Sequence, residues 1–530
     1  MVQAMTEKAV GQMSGAQALV AALEKQGVKY LFGVPGHGAY PIYDALNDFP
    51  SVTPVVGRNE QGALFSADGY SRSTEDVAVA TSVPLAGVTN AATGLWEING
   101  HGSRVLYLIE HDPVHEALLR PIVRYYRKAF SVAAIAPAVH ELIETLRAGR
   151  PGLAVLEVPN GVLHSVERAD PNEGYRAGPI AALDVAKLDV AAAALSHAAR
   201  PAICAGGYGW TAAAGRALTR LAETLRAPVL TANMSKGAIA DDHPLCLGFN
   251  WNTGGHAERM LAEADVVLGI GPRAGMVTGQ RSADVLAKQL VHVDWDGSEQ
   301  GPTVPARIQI NGHVPSVVTA LAERVKPRSQ VGWEAATLDR IRGAALACAS
   351  EQIPWALSFF ASLREALPRE ALLFTDSLAG LWAFRLFPAY APNTVHFPWF
   401  TGTLGHGIPA AVGAAMAHPE QTIAVLAGDG AFLYNSQELA TLKYYHRKII
   451  VVVANDNCFA AILFNTAERF GRSIAYELAN PDFVKLGDAY GMRTARLESP
   501  DQIGAAMQEA VAADAATLID VPLQLRPPRL

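Results

Sequence analysis

Apolar and polar positions along this chain alternate in a repeating order. Short runs of Val, Ile, Leu and Ala read as buried strands. Each ends in a turn rich in Gly, Pro or Asn, which leads into a stretch with apolar residues at helical spacing. Residues 17–26 form a helical pattern with Leu19, Val20 and Leu23 on one side and Gly27 at its end. Strand patterns follow at 30–34, 52–56, 77–81 and 105–109. A helix opens at 42–46, and another passes through Asp68, Gly69 and Tyr70. The turns after these strands carry Pro35-Gly36-His37-Gly38, the run from Gly57 to Ala63, and His111-Asp112-Pro113. Texture changes at 170–182 and again at 326–332, both polar and without periodicity, which reads as linkers. Between them lie strand patterns at 201–205, 228–231, 266–270 and 290–293. The pattern predicts an α/β protein of three consecutive domains with mainly parallel sheets, at 11–170, 184–325 and 345–522. No short-period repeat is present, and the tail at 526–529 reads as irregular.

The stretch from Gly428 to Cys458 is the most informative. The run 423–427 reads as a buried strand, Gly428-Asp429-Gly430 as a tight turn, 435–445 as a helix with Leu439 and Leu442 on one face, and 449–454 as a second strand. Asn455-Asp456-Asn457 follows its carboxyl end. A strand–helix–strand unit sets two strand ends side by side, at the edge where open α/β sheets bind ligands. Asp429 and Asp456, 27 positions apart, are thereby brought together. Carboxylates among amide and carbonyl oxygens suit Mg²⁺, and the glycines let backbone approach a diphosphate closely. The plain alternative is an ordinary α/β turn with surface carboxylates. Glu60, in RNEQGA, stands between a strand and a helix. In apolar surroundings such a carboxyl is raised in pKa and can pass a proton near neutrality, whereas a surface Glu there serves only the helix dipole.

Composition narrows the class. Half of the 530 residues are hydrophobic and 18% are charged, and the formal net charge of -7 with no basic tract argues against nucleic acid as partner. Cys204, Cys246, Cys348 and Cys458 are scattered without a CxxC pair, which fits a reduced, cytoplasmic setting. No charged-then-apolar leader pattern and no apolar run of about 20 residues is present, so no membrane association is expected.

GDG, a spacer of this length and an Asn-rich turn resemble the diphosphate–magnesium motif of the thiamin-diphosphate (ThDP) enzymes. LFGVPGHGAYPIYDAL, VVGRNEQGALFSADGYSRS and VAVATS resemble the amino-terminal domain of the acetolactate synthase branch of that family. ADVVLGIGPRAGMVTGQ and VHVDWDGSEQG look like its middle domain, and TGTLGHGIPAAVGAA like its cofactor-cradling turn, so the resemblance covers nearly the whole chain. It implies that Glu60 binds N1′ of the aminopyrimidine and promotes the tautomer that deprotonates the thiazolium C2. It implies that Gly402 meets the aminopyrimidine through its backbone and that Leu404 sits beneath the bent cofactor. Pro35, Asp376, Leu378, Ala379, Gly428, Gly430 and Ala431 are implied as further cofactor contacts. The metal would be held by Asp429, by Asp456 and by a backbone carbonyl at Cys458. The family has Asn where Asp456 stands, between Asn455 and Asn457, so a register shifted to either neighbour stays open. It often has Gln-His where Leu378-Ala379 stand, so those contacts fall to backbone N–H groups.

His37 follows Pro-Gly where family members differ, and His111 matches a Gln of the synthases. Both are candidates for proton transfer, with His115 and His406 as lesser ones. The synthase branch has Trp nine residues after the metal-binding position, where Asn465 stands; pyruvate decarboxylases have a catalytic Glu six residues after it, where Ile462 stands. A pocket lined by Ala461, Ile462 and Asn465 is expected. The resemblance implies a ThDP- and Mg²⁺-dependent enzyme acting beside the carbonyl of a 2-oxo acid or acyloin. Its leading form is decarboxylation with carboligation; the alternatives are decarboxylation to an aldehyde and acyloin or diketone cleavage. It also implies a homodimer or homotetramer with Glu60 from one subunit and Asp429 from another. Flavin stays open: the synthases carry FAD in the middle domain, and Arg273 sits in the matching segment.

Overall fold

The computed structural model describes residues 11–176, 182–249, 256–271, 290–297, 306–328 and 332–528. The chain divides into two compact units: one runs through Ile180 and includes Val412–Ala417, and the other comprises the remainder.

The first unit holds strands β1 (Gly11–Ser14), β2 (Tyr30–Gly33), β3 (Thr53–Val56), β4 (Ala78–Thr81), β5 (Val105–Glu110), β6 (Tyr125–Lys128), β7 (Leu153–Val158) and β8 (Val166–Ala169). Six form a parallel sheet in the order β3-β2-β4-β5-β7-β6, while β1 and β8 pair antiparallel. Its central strands are buried on both faces, which is why β4 and β5 read as unbroken apolar runs. Helix starts are set by local chemistry. Asn59 caps α1 (Glu60–Thr74) by accepting the Gln61 N–H at 2.8 Å. α2 (Ala86–His101) and the short α3 (His115–Leu119) follow β4 and β5.

The second unit holds two more six-stranded parallel sheets. One contains β9 (Pro201–Ala205), β10 (Val229–Thr231), β11 (Cys246–Phe249), β12 (Val266–Ile270), β13 (Leu290–Asp294) and β14 (Ile308–Asn311), in the order β11-β10-β9-β12-β13-β14. The other contains β15 (Leu372–Thr375), β16 (Val395–His396), β17 (Ile423–Gly428), β18 (Ile450–Asn455), β19 (Arg493–Arg496) and β20 (Thr517–Pro522), in the order β16-β15-β17-β18-β20-β19. Helices α4 (Ser377–Leu386), α5 (Asp429–Tyr434) and α6 (Ala460–Phe470) start at or just after the ends of β15, β17 and β18. The middle sheet packs on the last one through Asn393, which donates to the Trp210 carbonyl at 2.6 Å, and through Asp241, which accepts the Ala389 N–H at 2.8 Å.

The expected α/β class with mainly parallel sheets is what the structure contains. Two local expectations differ. The helix expected at 435–445 is confined to Glu438–Tyr444, and a separate short helix, α5, begins inside the expected turn at 428–430; between the two, Asn435 donates its amide to the Gly405 carbonyl at 2.8 Å. Strands β7 and β20 escaped the apolar-run reading because each carries a buried acid, Glu157 and Asp520.

Candidate active site

Five turns at the carboxyl ends of the last sheet build one cavity of about 530 Å³. At β15, Asp376 caps α4, taking N–H bonds from Ser377 at 2.9 Å and Gly407 at 3.1 Å. Ser377 itself holds the left-handed φ of +54°. Burial pushes the Asp376 carboxyl up to about 6, against the pull of those N–H groups and of His406. At β17, the strand passes directly into α5 at Asp429, which is buried; its Oδ1 accepts the Gly430 N–H at 2.7 Å and its Oδ2 the Asn480 amide at 2.7 Å. Gly430 is required by packing, since a Cβ there would lie 2.6 Å from the Phe459 ring. At β18, burial and then the Asp429 charge push the Asp456 carboxyl up to about 6.

Leu378, Ala379, Gly402, Leu404, Gly428, Asp429, Gly430, Ala431, Asp456 and Cys458 all line this cavity. The candidates read from four separate stretches of sequence therefore come together. Ala461 and Ile462 line it too, but Asn465 does not: it is exposed on α6, a turn beyond the wall. His406 is fully buried and is not part of the cavity lining, and it helps to hold down the Asp376 carboxyl. Asn455 turns its amide to Asp520 at 3.0 Å, and its oxygen accepts at 3.3 Å from the same Asn480 amide that meets Asp429, so its oxygen stays beside the two acids. Sequence reasoning missed Asn480, as well as Phe397, Trp399, Leu523 and Leu525 of the apolar wall and Asn233 from the turn after β10. Nothing in their spacing marks them, because they reach the cavity through folding alone.

The donor set fits a divalent cation with a diphosphate. The Asp429 charge adds to burial in disfavouring ionisation of Asp456, a conflict that a hard cation removes. Burial, followed by Asp456, Asp429 and Glu477, pushes the Cys458 thiol up to about 11. Cys458 therefore offers a carbonyl rather than a thiolate.

The remaining candidates stand at the carboxyl edge of the first unit's sheet. Glu60 opens α1 after β3 and is half-buried, accepting the Asn90 amide at 3.1 Å. The apolar surroundings expected for it are not supplied by the unit itself. Pro35 and His37, both exposed, follow β2, and the His37 ring stands edge-on to Tyr40. His111 follows β5 and is bonded through Nδ1 to Glu157 Oε2 at 2.8 Å. His115 is fully buried on the same carboxylate, Nδ1 to Oε1 at 3.1 Å.

In the middle sheet the direction of progression reverses between β9 and β12, the strand order of dinucleotide-binding folds. The described residues there pack on one another: a Cβ on Gly209 would lie 2.5 Å from the Trp295 ring, and one on Gly271 would lie 2.3 Å from the Gly206 carbonyl oxygen. Arg273, the flavin candidate, lies outside the described residues.

Residues 13–133 match the N-terminal TPP binding domain of thiamine pyrophosphate enzymes, 188–321 the central domain and 378–521 the C-terminal TPP binding domain. A probable acetolactate synthase large subunit of Methanocaldococcus jannaschii is 30% identical, over 96% of this chain and 92% of its own length. The acetolactate synthase of Bacillus subtilis is 26% identical over 98% and 94%. A probable 2-ketoarginine decarboxylase of Pseudomonas aeruginosa is 28% identical over 96% and 94%. With all three domains matched and relatives aligned end to end, this chain belongs to the thiamine pyrophosphate enzymes, as an acetolactate synthase-like carboligase or decarboxylase.

Proposed function

We propose that the protein binds ThDP with Mg²⁺ and decarboxylates a 2-oxo acid, passing the resulting acyl-anion equivalent, which keeps the electron pair of the broken C–C bond, to the carbonyl carbon of a second compound. The observation that carries this reading is the Asp429–Asp456 pair, set between glycine turns in one wall of an otherwise apolar cavity. Asp429, Asp456 and the Cys458 carbonyl would hold the cation, and the backbone from Ser377 to Ala379 and from Gly428 to Ala431 would hold the diphosphate. ThDP, when bound, supplies the nucleophilic carbon and the electron sink that make loss of CO₂ feasible. The chain's own part is to orient, to exclude water and to move protons. Glu60, steadied by Asn90, would hold a proton at the aminopyrimidine N1′. Phe397, Trp399, Leu523 and Leu525 keep the far wall dry.

A homodimer is part of this reading. Large apolar side chains stand exposed after the ends of β2, β4, β5 and β6: Tyr40, Leu85, Val114 and Phe130. A rim of this kind around Glu60 fits coverage by a second copy, which would also supply the desolvation Glu60 lacks. Release of a free aldehyde is the second reading, favoured by the imidazole at His111 beside the same edge, which could supply the proton that replaces CO₂.

Proton NMR of products tests both. The holoenzyme is incubated with a panel of 2-oxo acids, each with and without an acceptor aldehyde. Hydroxyketones are the expected products; aldehyde alone establishes the second reading, and absence of both defeats the proposal.

A further inference from the structure

Glu157, the penultimate residue of β7, is 0% exposed, yet it carries a carboxylate into the first unit's sheet. Its two oxygens are divided between two imidazoles, Oε2 to His111 Nδ1 at 2.8 Å and Oε1 to His115 Nδ1 at 3.1 Å. The other nitrogen of His115 is also committed: Nε2 accepts the Leu85 backbone N–H at 3.0 Å. A neutral imidazole has one donor and one acceptor nitrogen. His115 must therefore carry its proton on Nδ1 and donate it to Glu157. An ionised carboxylate only accepts, so His111 likewise donates from Nδ1. His111 Nε2 is then a bare lone pair, without a partner among the described residues. Its side chain is 21% exposed at the sheet edge that bears Glu60 and His37. Phe130 holds the His111 ring edge-on at 5.3 Å between centroids.

We infer that Glu157 is a positioning residue: it fixes His111 in the Nδ1–H tautomer, so that Nε2 faces substrate as the proton-accepting atom, while His115 ties the same carboxylate to the Leu85 turn. This rests on the proposed 2-oxo acid chemistry, in which His111 Nε2 takes a proton from a substrate oxygen and later returns it. The imidazolium formed in between lies against the Glu157 charge. Leu85 gives the device a second function, because its left-handed φ of +54° is a costly conformation for a leucine, and the His115 acceptor helps to hold it. Charged or titratable groups around the pair include Lys128 and Tyr126 at β6, and Glu116 and Arg120 at α3. Lys128 lies 3.9 Å from Glu157 and 2.8 Å from Glu116.

Glu157→Gln separates positioning from packing, since it keeps the shape but offers one acceptor and one donor. His115, held by the Leu85 N–H, must keep its own Nδ1–H and take the acceptor. His111 then faces the amide N–H₂ and must move its proton to Nε2. Holoenzyme labelled with ¹⁵N-histidine is observed by NMR without substrate, with His111 assigned by its loss in His111→Gln. The expected result is an Nδ1–H signal in the unchanged protein and an Nε2–H signal in Glu157→Gln. Turnover should fall by about 100-fold with little change in KM, and Glu157→Gln with His111→Gln together should cost no more than either alone. Two results overturn the inference: an unchanged His111 tautomer in Glu157→Gln, or a changed tautomer with full turnover. A His115→Gln variant that loses turnover equally while His111 keeps its tautomer would also overturn it, by assigning the effect to the Leu85 turn. The tautomer is read without substrate, so failure of every 2-oxo acid to react would count against the proposed reaction and leave the NMR result to stand or fall alone.

Discussion

The first sheet and the last share one strand order, 2-1-3-4-6-5 when each is numbered from its own first strand, yet their carboxyl edges are built for different work. At the last sheet the turns fold over a cavity whose charge is confined to two acids, with glycines where backbone must come close. At the first sheet the turns present Glu60 and His111 half-buried and His37 exposed. On the proposed function, one edge would hold the cofactor and the other would supply proton-transferring groups. The same topology serves both, so the division is written in the turn residues and not in the sheet.

If that division is right, substitutions at the two edges should fail in different ways. Asp429→Ala should have the largest effect. It leaves Asp456 without its partner ligand, and Mg²⁺-dependent ThDP binding measured by calorimetry should weaken at least about 100-fold, with turnover falling alongside. Glu60→Gln should come next and look opposite: ThDP affinity nearly unchanged, turnover lower by about 10²–10⁴. A Glu60→Gln protein that could not bind ThDP would erase the contrast, and so would an Asp429→Ala protein that bound it normally.

Most of the holding edge was legible in the sequence, because its residues sit on a short strand–turn–helix–strand segment with fixed local geometry. Asp429, Gly430 and Asp456 needed only the rule that strand ends meet. What escaped had no local signal. Asn480 reaches Asp429 from a loop ahead of the helix Phe483–Tyr490. Asn465 shows the converse error: its place in a family pattern put it in the pocket, while the helical turn of α6 puts it outside. On the proton-moving edge the histidines were visible but their partner was not. Glu157 lies within an apolar strand, where a lone acid reads as an interruption rather than as the group that orients two imidazoles.

The two edges should also differ in pH response before any ligand is added. Asp376, wholly buried at the holding edge, has its carboxyl raised from an ordinary 3.8 to about 6, chiefly by desolvation. The folded protein therefore binds this proton more tightly than the unfolded chain. The stability it contributes is full below about pH 4 and is lost as pH rises through about 6, a change of about 3 kcal/mol over two pH units. Asp376→Asn keeps an oxygen for one of the two N–H bonds and cannot titrate. Denaturant unfolding of the ligand-free variant between pH 4 and 7 should show a slope less negative by up to one proton than the unchanged protein; equal slopes would mean that Asp376 is not protonated in the folded chain.

The smallest effects should separate the edges by their free space. Gly38 and Gly402 both hold left-handed φ, +85° and +61°, which costs an alanine about 1–2 kcal/mol wherever it occurs. Around them the two turns differ. A Cβ on Gly38 would stand 2.3 Å from Glu110 Oε2 and 2.8 Å from Pro84, whereas one on Gly402 meets nothing within 4 Å. Gly38→Ala should therefore lower the thermal midpoint more than Gly402→Ala, because it adds a clash to the same backbone strain. Gly402→Ala should show only the strain in the ligand-free protein. Its methyl group, however, points into space at the cavity wall, so the loss should grow when ThDP is present if the aminopyrimidine rests on that backbone. Thermal unfolding of both variants, with and without ThDP and Mg²⁺, reads all four values. If ThDP stabilises Gly402→Ala as much as the unchanged protein, the open space above Gly402 is not where the cofactor lies.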